Sequence, residues 1–189
     1  MNKVIELPSI ELVQKYINNF DCDKELIVAD DVLSYLFGKY STNQELGDIL
    51  VKVKTLNSLY STNIYATRKM ANSILEKNID VELQSGSLEL VDDIALTEIG
   101  NNKKRRNYSF ASKYCHWHQP DKYPIYDNLV ESILWAYHKH FNFGSFKRDD
   151  LRQYSKYKEI IDNFKKDFGL TKFSYREIDK FLWVYAKSQ

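Results

Sequence analysis

Leu96-Thr-Glu-Ile-Gly100, Lys103-Lys-Arg-Arg106, Ser109-Phe-Ala-Ser-Lys-Tyr-Cys-His-Trp-His118 and Tyr123-Pro-Ile-Tyr-Asp127 follow one another through the middle of the chain. The stretch reads as a helix end, a turn, a basic cluster, an apolar helix, a short loop and an acid that opens the next helix. Glycine lets the backbone turn and approach a ligand closely. A helix starting behind such a turn presents N–H groups and a positive dipole end to phosphate. Between Asn101 and Arg106 there are four cations, Lys103, Lys104, Arg105 and Arg106, and no acid. Charge therefore gathers beside the Ile99-Gly100 turn. The order suits a protein that grips a nucleic-acid backbone and sets one carboxylate next to it. Taken alone, the turn has a plainer reading: a glycine C-cap followed by a solvated basic loop.

Helical patterning extends outward from this stretch in both directions. Pro8 and Ser9 open a first helix with Ile10, Val13 and Ile17 as its apolar stripe. A second spans about 23–36 and is expected to end at Gly38. Thr42 is placed as the cap of a third, carrying Leu46, Ile49, Leu50, Val53 and Leu56. Residues 60–63 break it, and 64–76 form the next. Val81 to Leu83 is read as extended, Ser85-Gly-Ser87 as a turn, and 88–96 as a short helix. Beyond the 108–118 helix and the loop holding Pro120 and Pro124, a helix starts at Asp127 or the residue before it and runs to about 140. Another spans 148–168 and stops at Gly169. Ser174 caps a last one through Ala186. The fold class expected is all-α, a two-lobed helical bundle of eight to ten helices in a single domain over 1–189. The hairpin and carboxylate-bearing segment falls at 88–134.

Bulk composition bounds the function. The chain has 189 residues, 43% of them hydrophobic, enough for a sizeable core. No apolar run is long enough to span a bilayer. The first nine residues lack the basic start and apolar stretch of a secretory signal. No membrane partner and a cytoplasmic location are expected. Two cysteines, Cys22 and Cys115, are too few for a disulfide framework and are read as reduced, mostly buried thiols. The net charge of +1 announces no nucleic-acid binder. Only the local cluster at 103–106 does, since phosphate attraction depends on nearby charge.

The central residues resemble a known family, the helix-hairpin-helix DNA glycosylases. Leu96-Thr-Glu-Ile-Gly100 is similar to that family's hairpin, Phe110-Ala-Ser-Lys-Tyr114 to the helix behind it, and Pro124-Ile-Tyr-Asp127-Asn-Leu-Val130 to the segment carrying its catalytic aspartate. The correspondence covers about 96–134. It implies duplex DNA as partner, a nucleotide flipped between two helical lobes, and hydrolysis of its N-glycosidic bond without a cofactor. Asp127 would stabilise positive charge developing at the anomeric carbon. Ile99, Gly100, Lys103, Lys104, Arg105, Arg106 and Lys113 would contact DNA. Bifunctional members carry a nucleophilic lysine at the start of the following helix, a place open to Lys103 or Lys104. An alignment anchored on Phe110-Ala111 instead puts Arg106 there, and arginine stays protonated and forms no Schiff base. Glu98 stands where the hairpin has its first glycine, and Thr97 where it has proline.

The remaining candidates have structural readings. Asp127 is a favoured N-cap residue. Lys113 can snorkel from a buried helix. His116/His118 and His138/His140 are i, i+2 pairs that point to different helix faces, so no metal is expected. His118 is expected to hydrogen-bond the nearby chain turn. Trp117 and Trp135 are assigned to the core. The alternative to a glycosylase is a non-catalytic DNA-binding or protein-interaction module on the same scaffold, with Asp127 only a cap. A weaker third is a helical protein-binding domain with no nucleic-acid role.

Overall fold

A computed structural model describes residues 5–97 and 106–189. The chain is all-α: among the described residues every regular element is helical. Contacts divide it into two compact units, one formed by 1–27 and 124–189, the other by 28–123.

The first unit is built around aromatic helix faces. In α1 (Ile10–Asp21) Ser9 caps the N-terminus by accepting from Leu12 N–H. Its buried residues, Leu12, Val13, Tyr16, Ile17 and Phe20, recur at the three- and four-residue spacing of one helix face. That face meets the last helix, where Tyr185 packs edge-on to Tyr16 with ring centroids 5.1 Å apart. Ile10, assigned to the stripe, is exposed instead.

The second helix, α2 (Lys24–Lys39), runs through Gly38 rather than stopping at it. Asp23 caps it, accepting from Glu25 and Leu26 N–H. The second unit then takes α3 (Leu46–Tyr60), α4 (Thr67–Lys77), α5 (Asp80–Ser85), α6 (Glu89–Ala95) and α7 (Tyr108–His118). Thr42 does not cap α3, which begins after Glu45. Val81–Leu83 is helical within α5, and Gly86 ends that helix at a φ of 80°. The left-handed backbone there suits glycine, and a Cβ would meet the Lys122 side chain at 3.1 Å. Ser61 and Asn63, at φ 48° and 58°, make the break after α3.

The first unit resumes with α8 (Asn128–Phe141), capped by Asp127. The single helix expected over 148–168 is two elements, a 3-10 turn at Arg148–Arg152 and α9 (Tyr154–Asp167), separated where Gln153 adopts extended backbone. In α10 (Tyr175–Ser188) Ser174 and Glu177 form a reciprocal capping box. Stacking of Tyr137 on Tyr185 at 5.7 Å ties α8 to α10. No helix of the described residues is long and apolar enough to cross a membrane.

Candidate functional site

Asp127 stands at the N-terminus of α8, half-buried, with an extended backbone, and its carboxylate accepts from Leu129 N–H at 2.9 Å. The strand of chain leading into it is held firmly. Tyr154 donates its hydroxyl to the Pro124 carbonyl at 2.8 Å, and Tyr157 donates to the Ile125 carbonyl at 2.5 Å. Both tyrosines are buried and lie on α9. Tyr126 is buried as well, its ring edge-on to Tyr157 at 5.3 Å. Pro124, the pinned Ile125 carbonyl and the buried Tyr126 thus fix the backbone from which Asp127 projects.

One turn into α8, Glu131 is buried and charged. Arg152 grips it bidentately, Nε to Oε2 at 3.1 Å and Nη2 to Oε1 at 3.0 Å, while Arg148 Nε lies 3.5 Å from Oε1. Tyr126 also donates to Oε2. Burial acts to raise the Glu131 pKa, but the Arg152 and Tyr126 hydrogen bonds and the two guanidiniums outweigh it and hold the carboxyl below its ordinary range. The two carboxylates at the start of α8 therefore differ in kind: Glu131 belongs to the interior network, whereas Asp127 keeps partial access to solvent.

The expected DNA contacts divide. Ile99, Gly100, Lys103, Lys104 and Arg105, together with Glu98, lie outside the described residues, and so does the expected turn at Gly100. Around that segment, α6 and α7 are brought together by Asn107 N–H donating to the Ala95 carbonyl at 2.8 Å. Arg106 pairs with Asp92, and its guanidinium lies over the Tyr108 ring at 4.6 Å. Both members of the pair are substantially exposed, which makes the bridge a weak one. Lys113 is buried: its ammonium donates to Ser109 Oγ at 2.6 Å and lies 5.1 Å from the Tyr60 ring centroid. That lysine is part of the interior of its unit.

A second polar cluster, not foreseen from the sequence, occupies the interior of the other unit. Lys52 is fully buried on α3. Its Nζ donates to the carbonyls of Tyr40 and Thr42, each at 2.8 Å, and to Asn43 Oδ1 at 2.9 Å, and lies 3.1 Å from His118 Nε2. Asp80 clamps Asn43 through the backbone N–H and Nδ2, and Tyr114 donates to Asn43 Oδ1 at 2.6 Å. An ammonium has three protons and no lone pair, so each of its four neighbours must act as an acceptor and one proton is shared. His118 fits: burial first, and then the Lys52 charge, push its pKa down to about 3, so the ring is neutral at pH 7. Burial lowers the Lys52 ammonium to about 8, against an upward pull from Asp80 and Asp48. Thr42, read as a helix cap, contributes its carbonyl here instead. The sequence signal was Lys52 itself, which falls between Ile49 and Leu56 on the apolar face of α3.

His116, rather than His118, bonds the chain turn, through Nδ1 and the Tyr123 carbonyl at 2.7 Å. Among the described residues no group of histidine, cysteine and acid side chains is arranged to hold a metal ion. Cys115 is buried, but Cys22 is exposed, contrary to the expectation for both thiols.

The model of a family described as the HI_0787 N-terminal domain matches residues 12–122. The chain belongs to that family. The match ends next to the point where the chain passes from the second unit back into the first. An uncharacterized protein of Haemophilus influenzae is 36% identical over 183 residues, covering 93% of this chain and 88% of its own length. Its similarity therefore extends past the family's domain into α8, α9 and α10. No solved structure matches.

Proposed function

We propose that this chain is a glycosylase-like DNA-binding protein that hydrolyses the N-glycosidic bond of a flipped, damaged or modified base, with Asp127 as the essential carboxylate. The observation that carries the proposal is the setting of Asp127: a half-buried acid at a helix N-terminus, on backbone immobilised by Tyr154 and Tyr157. Fixed carboxylates of this kind stabilise developing positive charge with little reorganisation. The basic run at 103–106 would supply phosphate contacts, with Lys103 and Lys104 as the candidates for any lyase nucleophile. Lys113 is left out of this role because its ammonium is turned to Ser109 and Tyr60. Base release from oligonucleotides carrying uracil, 8-oxoguanine, alkylated purines or hydroxymethylated cytosine tests the proposal, with and without alkali. Release without alkali would add a lyase step.

One observation favours a second reading, a DNA-binding module without catalysis. The Asp127 carboxylate already accepts from Leu129 N–H, the bond a helix cap makes. Salt-sensitive duplex binding with no base released from any of these substrates would support it.

A further inference from the structure

Arg148 and Arg152 reach α8 from the 3-10 turn, and both converge on one buried carboxylate, Glu131. Their number exceeds what that carboxylate needs. Arg152 alone meets both Glu131 oxygens, and Tyr126 adds a third donor. Arg148 approaches Oε1 only at 3.5 Å, with its side chain half exposed. The trio of Arg148, Arg152 and Glu131 carries one positive charge in excess, and the negative member is the one shielded from water. Glu131 N–H donates to the Asp127 carbonyl at 2.8 Å, so Asp127 stands one backbone turn before Glu131 at the start of α8. The other charges of the 3-10 turn are both acids, Asp149 and Asp150; Lys156 on α9 pairs with Asp150 at 2.6 Å, and Lys147, just before the turn, opposes Asp149 in sign. Arg152 is oriented by the buried acid, and a guanidinium offers the planar, paired hydrogen bonds that phosphate oxygens accept.

We infer that Arg148 and Arg152 form a clamp for a backbone phosphodiester of DNA, one helical turn from Asp127. The clamp rests on the DNA-binding reading above and names residues for it that the central motif does not contain. It holds a phosphate beside a carboxylate that would otherwise repel it.

Fluorescence anisotropy with a labelled duplex oligonucleotide, titrated at several salt concentrations, tests the clamp. Arg148→Gln is the first variant, because Arg152 and Tyr126 still satisfy Glu131 and the fold is kept. One phosphate contact contributes about 0.9 to the slope of log affinity against log salt. Arg148→Gln should lower the slope by about that amount and weaken binding several-fold at low salt, and Arg148→Lys should restore the slope. A second variant, Arg148→Gln/Arg152→Gln/Glu131→Gln, removes both cations without stranding a buried charge and should lower the slope by about 2. Native-chain binding with a slope unchanged in folded Arg148→Gln overturns the clamp and leaves DNA binding standing. No binding by the native chain at any salt concentration overturns the clamp and the DNA reading together.

Discussion

The hydroxyl of Tyr157 donates to the carbonyl of Ile125 at 2.5 Å, two residues before the carboxylate of Asp127. Both groups are buried, so the bond cannot be exchanged for one to water without opening the unit. Removing the hydroxyl strands the carbonyl. Tyr157→Phe should lower the unfolding free energy by about 1–3 kcal/mol in urea titration. It should also lower base release more than it lowers duplex affinity, because it loosens the carboxylate rather than the phosphate contacts.

The cap that Asp127 makes and the catalytic role proposed for it are separable. As a cap it needs an oxygen acceptor; as a catalyst it needs a negative charge. Asn serves the first and not the second. Asp127→Asn should unfold within a few tenths of a kcal/mol of the native chain, whereas Asp127→Ala should lose about 1 kcal/mol. Thermal or urea unfolding of the three proteins checks this directly.

Lys52 and His118 give the stability of the second unit a defined pH dependence. The folded Lys52 ammonium titrates near 8, below its ordinary value of 10.5. Between those values the unfolded chain holds a proton that the folded chain has lost, so unfolding free energy rises with pH across that window. The contribution is absent below about pH 8 and complete above about 10.5. His118, pushed from 6.5 to about 3, has the same sign in an acid window: stability falls as pH drops from about 6.5 towards 3. Lys52→Met should flatten the rise above pH 8, and His118→Gln should flatten the loss below pH 6.5. Urea midpoints at half-unit pH intervals check both, and profiles parallel to the native one would count against the cluster.

The two thiols should differ in reactivity. Cys22 is exposed at the end of α1, while Cys115 is buried and its thiol is pushed well up by that burial. A thiolate is the reactive form. A thiol reagent should modify Cys22 in the folded chain and reach Cys115 only on unfolding, as mass mapping of the labelled peptides would show.

Much of the fold was legible because its signals are local. The helix at 108–118, the caps at Ser9, Asp127 and Ser174, the turn at Gly86 and the stop at Gly169 follow from residue type and spacing. The misreadings have non-local causes. Val81 and Leu83 look like a short strand, yet Asp80 and Gly86 enclose a single helical stretch that leaves Val81 exposed. Thr42 resembles a cap, but its carbonyl is taken by Lys52, ten residues away. Gln153 divides the helix expected over 148–168 and so creates the turn that brings Arg148 and Arg152 to Glu131. Of the candidate site, the place of Asp127 at a helix start could be read from its residue type beside Pro124, while its proposed role comes from the family resemblance. The tyrosines that pin its backbone could not, since they come from α9, some thirty residues further on.

Single-turnover base release by the native chain and by Asp127→Asn, measured side by side on the same duplexes, is the most direct test. With both proteins folded and binding DNA equally, release by the native chain should fall by about 10²–10⁴-fold in the variant. Release that is undiminished in Asp127→Asn contradicts an essential carboxylate at this position.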